Sequence, residues 1–152
     1  MSMIEGLPSL FLERNFQFKT GDFITTTSDV TPLILHRGIV VVEDDGKAYV
    51  YHNSPSEVNE LGGSIIKESL DVWLKNRKIK SIEPTRLTKD KIEQMYLTFN
   101  TRKFNLFSFN CEQFAYFVKE GELKSPQLAW WGVIAVLGGI ALGVWIYNKK
   151  KK

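Results

Sequence analysis

The chain has 152 residues, with 20 basic and 17 acidic side chains and a formal net charge of +3. Four of the 20 basic residues are the final lysines, Lys149–Lys152, so the remainder holds 16 basic side chains against 17 acidic ones. This balance excludes the basic domain typical of nucleic-acid-binding proteins, and we expect no nucleic-acid partner. The single cysteine excludes an intramolecular disulfide, so nothing indicates an oxidising compartment.

The first predicted elements are strands. A short strand is predicted over Phe23–Thr27, after a turn. Leu33–Val42 is rich in β-branched and apolar residues, which favours a second strand. The polar segment Glu43–Gly46 ends in glycine and suits a tight turn, so Lys47–His52 is predicted to return as the third strand.

This hairpin contains both histidines of the chain. A turn centred on Asp44 would place His36 and His52, which are equally distant from it, directly opposite each other on one face of the sheet. One imidazole is then able to accept a proton while the other fixes its tautomer. Either histidine taken alone is more readily read as an ordinary surface residue on an antiparallel strand.

The middle of the chain alternates between predicted strands and helices. A strand is predicted near Ser64–Glu68, followed by a short helix over Ser69–Lys75 and another strand over Lys78–Ile82. Apolar residues at helical spacing predict a helix over Lys89–Asn100, with Thr88 as its N-cap.

The only cysteine lies at the start of the next predicted helix, which runs from Asn110 to Lys119 and stops at Gly121. Asn110 is a suitable N-cap for it. The positive end of the helix dipole stabilises a thiolate, so we expect a lowered pKa for the Cys111 thiol. The unpaired N–H groups of the first turn are suited to an oxyanion, which makes Cys111 a candidate nucleophile.

The C-terminal segment Leu128–Tyr147 is 20 residues long and carries no charge. About 20 apolar residues at 1.5 Å per residue cross a hydrocarbon core of ~30 Å. Trp130, Trp131 and Trp145 lie near its two ends, where aromatic side chains favour the membrane interface. We therefore predict a transmembrane helix, with a buried core helix as the alternative.

The segment FNLFSFNCEQFA, from Phe104 to Ala115, resembles the Asn-Cys-Glu-His-Phe box of the lecithin:retinol acyltransferase family, within the NlpC/P60 superfamily. Gly21–Ile24 is similar to the opening Gly-Asp strand of that family, and His36 and His52 match its two histidines. The anchor is similar to that of the small tail-anchored phospholipase A/acyltransferases. Gln113 stands where many members have histidine.

The resemblance implies an α+β, permuted papain-like fold with an antiparallel sheet packed on helices, plus one transmembrane helix. Residues 1–124 would form the catalytic domain and residues 125–152 the anchor with its lysine tail. Cys111, His36 and His52 would be catalytic, with Asn110 in a supporting role. The family's chemistry is acyl transfer from, or hydrolysis of, glycerophospholipids through an acyl-thioester on Cys111, without metal or cofactor.

Three other interpretations stay open. A thiol amidase or peptidase of the broader NlpC/P60 type would use the same residues. A membrane adaptor with an inactive site is the non-enzymatic alternative. A zinc site built from the two histidines and Cys111 would lack a fourth ligand at the usual spacing.

The orientation in the membrane is predicted from two opposing features. The final lysines favour the cytoplasmic side by the positive-inside tendency, which would place the domain outside. The N-terminal residues 1–16 include Glu5 and lack a long apolar core, so they do not resemble a signal peptide able to lead the domain across. We expect a cytosolic domain held by a single-pass C-terminal helix.

Overall fold

The computed structural model of the protein describes residues 17–27 and 33–149. Residues 1–16, where the sequence lacks a signal-peptide pattern, and the last three lysines of the tail lie outside the described residues. The described chain is an α+β structure with a five-stranded antiparallel sheet, helices and one C-terminal apolar helix, as predicted. The division of the chain at residue 125 stays a prediction.

The predicted elements are present, with bounds that differ from the predicted ones by one or two residues. In chain order they are β1 (Phe23–Thr27), β2 (Leu35–Val42), β3 (Ala48–Asn53), β4 (Ile65–Ser69), α1 (Leu70–Leu74), β5 (Ile79–Glu83), α2 (Lys89–Phe99), α3 (Cys111–Glu120) and α4 (Pro126–Lys149). The sheet order is β4-β3-β2-β1-β5, so β2, which carries His36, lies at the centre. Thr88 caps α2 and Asn110 caps α3, as predicted.

The two faces of the sheet build two separate clusters, because successive side chains of a strand point to opposite faces. Ile39 and Val41 of β2 face α3 and pack with its Phe114 and Val118. Val40, between them, faces the other side and packs in a cluster around Trp73 of α1. The even-numbered residues of β2, including His36, therefore belong to the α1 side of the sheet.

The register of the β2–β3 hairpin differs from the predicted one. β2 and β3 pair Gly38, rather than His36, with His52. The turn is longer than predicted: the Glu43 N–H donates to the Lys47 carbonyl, and Gly46 has a φ of 81° inside the loop. The shift keeps both histidines on one face, so they are diagonal neighbours instead of direct partners.

Helix α4 is the one helix in the described chain that is long and apolar enough to span a membrane. It has 24 residues from Pro126 to Lys149, and none of its side chains is buried against the rest of the protein. Proline at its first position suits a helix start, because the missing N–H has no partner there in any case. The Ser125 hydroxyl caps the helix by accepting a hydrogen bond from the Leu128 amide at 3.3 Å.

Candidate functional site

The two histidines meet on the α1 side of the sheet. His36 Nε2 lies 3.1 Å from His52 Nδ1, and the ring centroids are 5.1 Å apart. Gly38 makes the diagonal contact possible: a Cβ there would lie only 3.4 Å from the Cβ of His52 and 2.3 Å from a methyl group of Val50. The Trp73 ring packs against both imidazoles, with centroid distances of 5.7 Å and 6.0 Å.

A carboxylate completes this arrangement. Glu68 Oε2 lies 3.2 Å from His52 Nε2, so the three side chains form a hydrogen-bonded chain. The sequence analysis did not identify Glu68, although it predicted the strand that carries it. The β3–β4 register pairs His52 with Ile66. Given that register, strand parity places Glu68 on the same face of the sheet as His52.

The chain of contacts assigns the proton positions. An ionised carboxylate only accepts, so His52 Nε2 carries a proton that it donates to Glu68. With His52 neutral, its Nδ1 accepts the hydrogen bond and His36 donates from Nε2. This leaves His36 Nδ1 as a lone-pair acceptor. Glu68 and His52 thereby fix the orientation and tautomer of the His36 ring, in the manner in which a third group orients the histidine of a catalytic triad.

Burial lowers the pKa of His36 well below its ordinary value, and the Coulombic effects of His52, Arg77 and Arg37 lower it further. The hydrogen bond from His52 lowers the pKa of Glu68. Glu68 is therefore a carboxylate and His36 a neutral imidazole at neutral pH. Both states are the ones that the proton assignment requires.

A cavity of about 240 Å³ opens beside the histidines. Its walls include both histidines, Glu68, Trp73 and Arg77. Cys111 is not among the described residues that line it. The cavity is large enough for a small polar group and lies on the α1 side of the sheet.

Cys111 contacts the backbone of β2 on either side of His36, where β2 extends past the end of β3, while the His36 ring packs against Trp73 on the α1 side of the sheet. The thiol donates to the Leu35 carbonyl, with a sulfur–oxygen distance of 3.9 Å, and the Arg37 amide also bonds to the sulfur. These two backbone groups flank His36 and lack a β3 partner, since the β2–β3 ladder begins at Gly38. The hydrogen bonds of the sulfur are thus with the strand that carries the predicted base.

The expected lowering of the thiol pKa is contradicted. Burial raises the pKa of Cys111, and the nearby charge of Glu112 adds to the rise. The Arg37 amide and guanidinium lower it, but by less. The desolvation of the thiolate outweighs the favourable helix terminus, so Cys111 rests as a thiol.

The start of α3 is held by a capping box. The Asn110 side chain accepts from the Gln113 amide at 2.9 Å, and the Gln113 side chain accepts from the Asn110 amide at 2.9 Å. Gln113, which departs from the family box, thus has a structural role here. Since the Gln113 amide is occupied, the amides of Cys111 and Glu112 are the first-turn groups suited to an oxyanion.

A buried ion pair connects α3, the helix that begins at Cys111, to β2. Arg37 Nη1 lies 2.5 Å from Glu112 Oε1, and the Glu112 side chain is 3 % exposed. The other oxygen of Glu112 accepts from the Ser125 hydroxyl and from the Gln127 amide, the latter at 3.0 Å. The residue after Cys111 therefore contacts both the central strand and the start of α4.

Among the described residues, no group of three His, Cys, Asp or Glu side chains is placed to hold a metal ion. Comparison of the chain with protein-family models, with curated proteins and with solved structures gave no significant match. The family resemblance therefore rests on the motifs around Cys111 and the two histidines.

We predict that Cys111 reacts slowly with iodoacetamide at neutral pH. Because burial raises the pKa of its thiol, the alkylation rate of the full chain in detergent micelles should still be rising at pH 9. Mass spectrometry measures the rate, with N-acetylcysteine as the reference thiol, whose rate reaches half its maximum at lower pH. A rate that is already constant below pH 7 would show a stabilised thiolate and contradict the prediction.

We predict that both histidines carry their proton on Nε2, because Glu68 accepts from His52 and His52 accepts from His36. Long-range ¹⁵N–¹H spectra of the full chain in micelles report each tautomer. Glu68→Leu should give a mixed His52 tautomer, whereas Glu57→Gln, in the wall of the same cavity, should change nothing. A proton on His52 Nδ1 in the unmodified protein would refute the assignment.

Proposed function

We propose that the protein is a membrane-anchored thiol acyltransferase or phospholipase A that acts on glycerophospholipids. The observation that carries the proposal is the Glu68–His52–His36 chain, which leaves His36 Nδ1 as a base on the strand that Cys111 contacts. The proposed fold is the permuted papain-like one, because the histidine strands precede the cysteine helix in the chain. Helix α4 would be the anchor.

The proposed reaction begins when the thiol turns from the Leu35 carbonyl toward His36. His36 Nδ1 takes the proton, and the thiolate attacks the carbonyl carbon of a phospholipid ester. The Cys111 and Glu112 amides stabilise the oxyanion of the tetrahedral intermediate. When the ester C–O bond breaks, His36 returns the proton to the leaving oxygen, so lysophospholipid departs and an acyl-thioester remains.

The second half of the reaction releases the acyl group. Water, an alcohol or an amine attacks the thioester, and His36 takes the proton of that nucleophile. The C–S bond then breaks and the sulfur recovers a proton from the imidazolium, which regenerates the thiol. The anchor keeps the enzyme on the surface that holds its acyl donor and so raises the effective concentration of donor.

One observation favours a second candidate, a membrane adaptor without activity. The thiol pKa is raised and the sulfur bonds to backbone groups instead of an imidazole. A thiol amidase or peptidase would share the same residues and the same first steps. The three functions differ in whether Cys111 becomes acylated and by what donor.

The full chain, reconstituted in mixed phospholipid vesicles and quenched in acid, should carry a hydroxylamine-sensitive acyl adduct on Cys111. Cys111→Ala and Cys111→Ser should abolish the adduct and the turnover without unfolding the protein. His36→Ala should slow acylation by roughly 10²- to 10⁴-fold, the usual contribution of a general base. His52→Gln should be no more damaging than His36→Ala. Intact-protein mass spectrometry measures the adduct.

Glu57→Gln is the control. Glu57 lines the same cavity but has no part in the proposed Glu68–His52–His36 hydrogen-bonded chain. More than a few per cent of turnover in Cys111→Ala would remove Cys111 from the mechanism. An adduct formed only from amide or peptide donors would identify the amidase. If the protein forms no adduct with any donor, and Cys111→Ala changes nothing that is measured, the protein is the adaptor.

The proposed orientation places the domain in the cytosol. Protease added to the cytosolic side of intact membranes should digest the domain without detergent. A tail of four lysines is a small segment to translocate, whereas positive charge orients a helix only weakly against a whole domain. Protection of the domain until detergent is added would reverse the orientation.

A further inference from the structure

Two tips of the domain expose large apolar side chains. Leu33 and Ile34, just before β2, are 71 % and 46 % exposed. Leu106 and Phe107, in the turn before α3, are 57 % and 72 % exposed. We call these four residues the apolar rim. Exposed apolar side chains gathered in one place are typical of an interaction surface, whereas scattered ones are ordinary.

Both tips are held at the start of α4. The Gln127 side chain donates to the Leu33 carbonyl at 3.2 Å and accepts from the Leu35 amide at 3.3 Å. On the other tip, the Asn110 side chain donates to the Leu106 carbonyl at 2.8 Å and contacts the Ser125 hydroxyl at 3.4 Å. The Leu33 tip is therefore bonded directly to Gln127 of α4, and the Leu106 tip is connected through Asn110 to Ser125, the residue before α4.

The position of the rim along α4 coincides with the beginning of its apolar surface. The apolar run begins at Leu128, one residue after Gln127. At 1.5 Å per residue, the first tryptophan, Trp130, lies about 5 Å beyond Gln127 along the helix. A bilayer that receives the apolar run of α4 has its interface at the level of the rim. The apolar surface of the helix therefore begins close to the residues that hold the rim.

We propose that the apolar rim inserts into the interfacial region of a phospholipid bilayer around the entry point of α4. The proposal rests on the membrane anchoring in the proposed function. Insertion holds the domain in one orientation, with the β2 edge and the first turn of α3 toward the lipid. The ester carbonyls of phospholipids lie at the depth that such apolar side chains reach, so the candidate site would meet its donor without extracting it fully.

The test measures the depth of spin labels on the full chain. In a Cys111→Ala background, which frees the chain of its native thiol, single cysteines are introduced as Ile34→Cys, Phe107→Cys and Leu97→Cys. Leu97, on α2, is 63 % exposed and is the matched control. Each protein is labelled and placed in phosphatidylcholine nanodiscs. Power-saturation spectra then compare collisions with oxygen, which concentrates in lipid, and with a water-soluble nickel chelate.

Labels at positions 34 and 107 should collide more with oxygen than with the nickel chelate, and the label at position 97 should do the reverse. Strong collisions with the chelate at 34 and 107 would place the rim in water and overturn the proposal. Weak collisions with both reagents would mean that protein covers the rim, which also overturns it. The assay needs no activity, so a failed acylation experiment and a failed insertion experiment are separate results.

Discussion

The buried ion pair between Arg37 and Glu112 is the contact on which the rest of the site depends. Glu112 is 2 % exposed, and removing the partner of a buried charge costs about 3–5 kcal/mol. Because Glu112 follows Cys111 directly, the pair fixes the first turn of α3 against the central strand. Its second oxygen binds Ser125 and Gln127, so the same carboxylate fixes the start of α4. The central strand, the first turn of α3 and the start of α4 thus share one charged group.

The site combines two groups whose pKa values are displaced in opposite directions by the same cause. Burial disfavours the charged form of each, which raises the pKa of Cys111 and lowers that of His36. Each group is therefore neutral in the resting state. Charge separation would then occur only when a substrate supplies an oxyanion and the helix amides stabilise it. A thiol kept in this state is also protected from oxidation, since the thiolate is the reactive form.

Much of this arrangement could be predicted from the sequence. The alternation of β-branched residues gave the strands, and Thr88 and Asn110 marked two helix starts correctly. The contact between the histidines could be predicted from their shared strand parity, although the β2–β3 turn is longer than the predicted one that ends at Gly46. Glu68 and the Arg37–Glu112 pair were missed because they depend on the pairing of distant segments. The predicted lowering of the thiol pKa was wrong, because a helix terminus can be recognised in a sequence whereas the burial of the sulfur cannot.

The edges of the sheet have a consequence for a protein confined to a surface. The outer strands β4 and β5 have five residues each, and each exposes a lysine, Lys67 and Lys80 respectively. Short edges with charged side chains resist pairing with the edge of another molecule. Two-dimensional confinement raises the encounter rate of neighbouring copies, which would favour aggregation through open strands. With α4 in a membrane, as proposed, the charged edges would keep the sheets of neighbouring copies separate at high density.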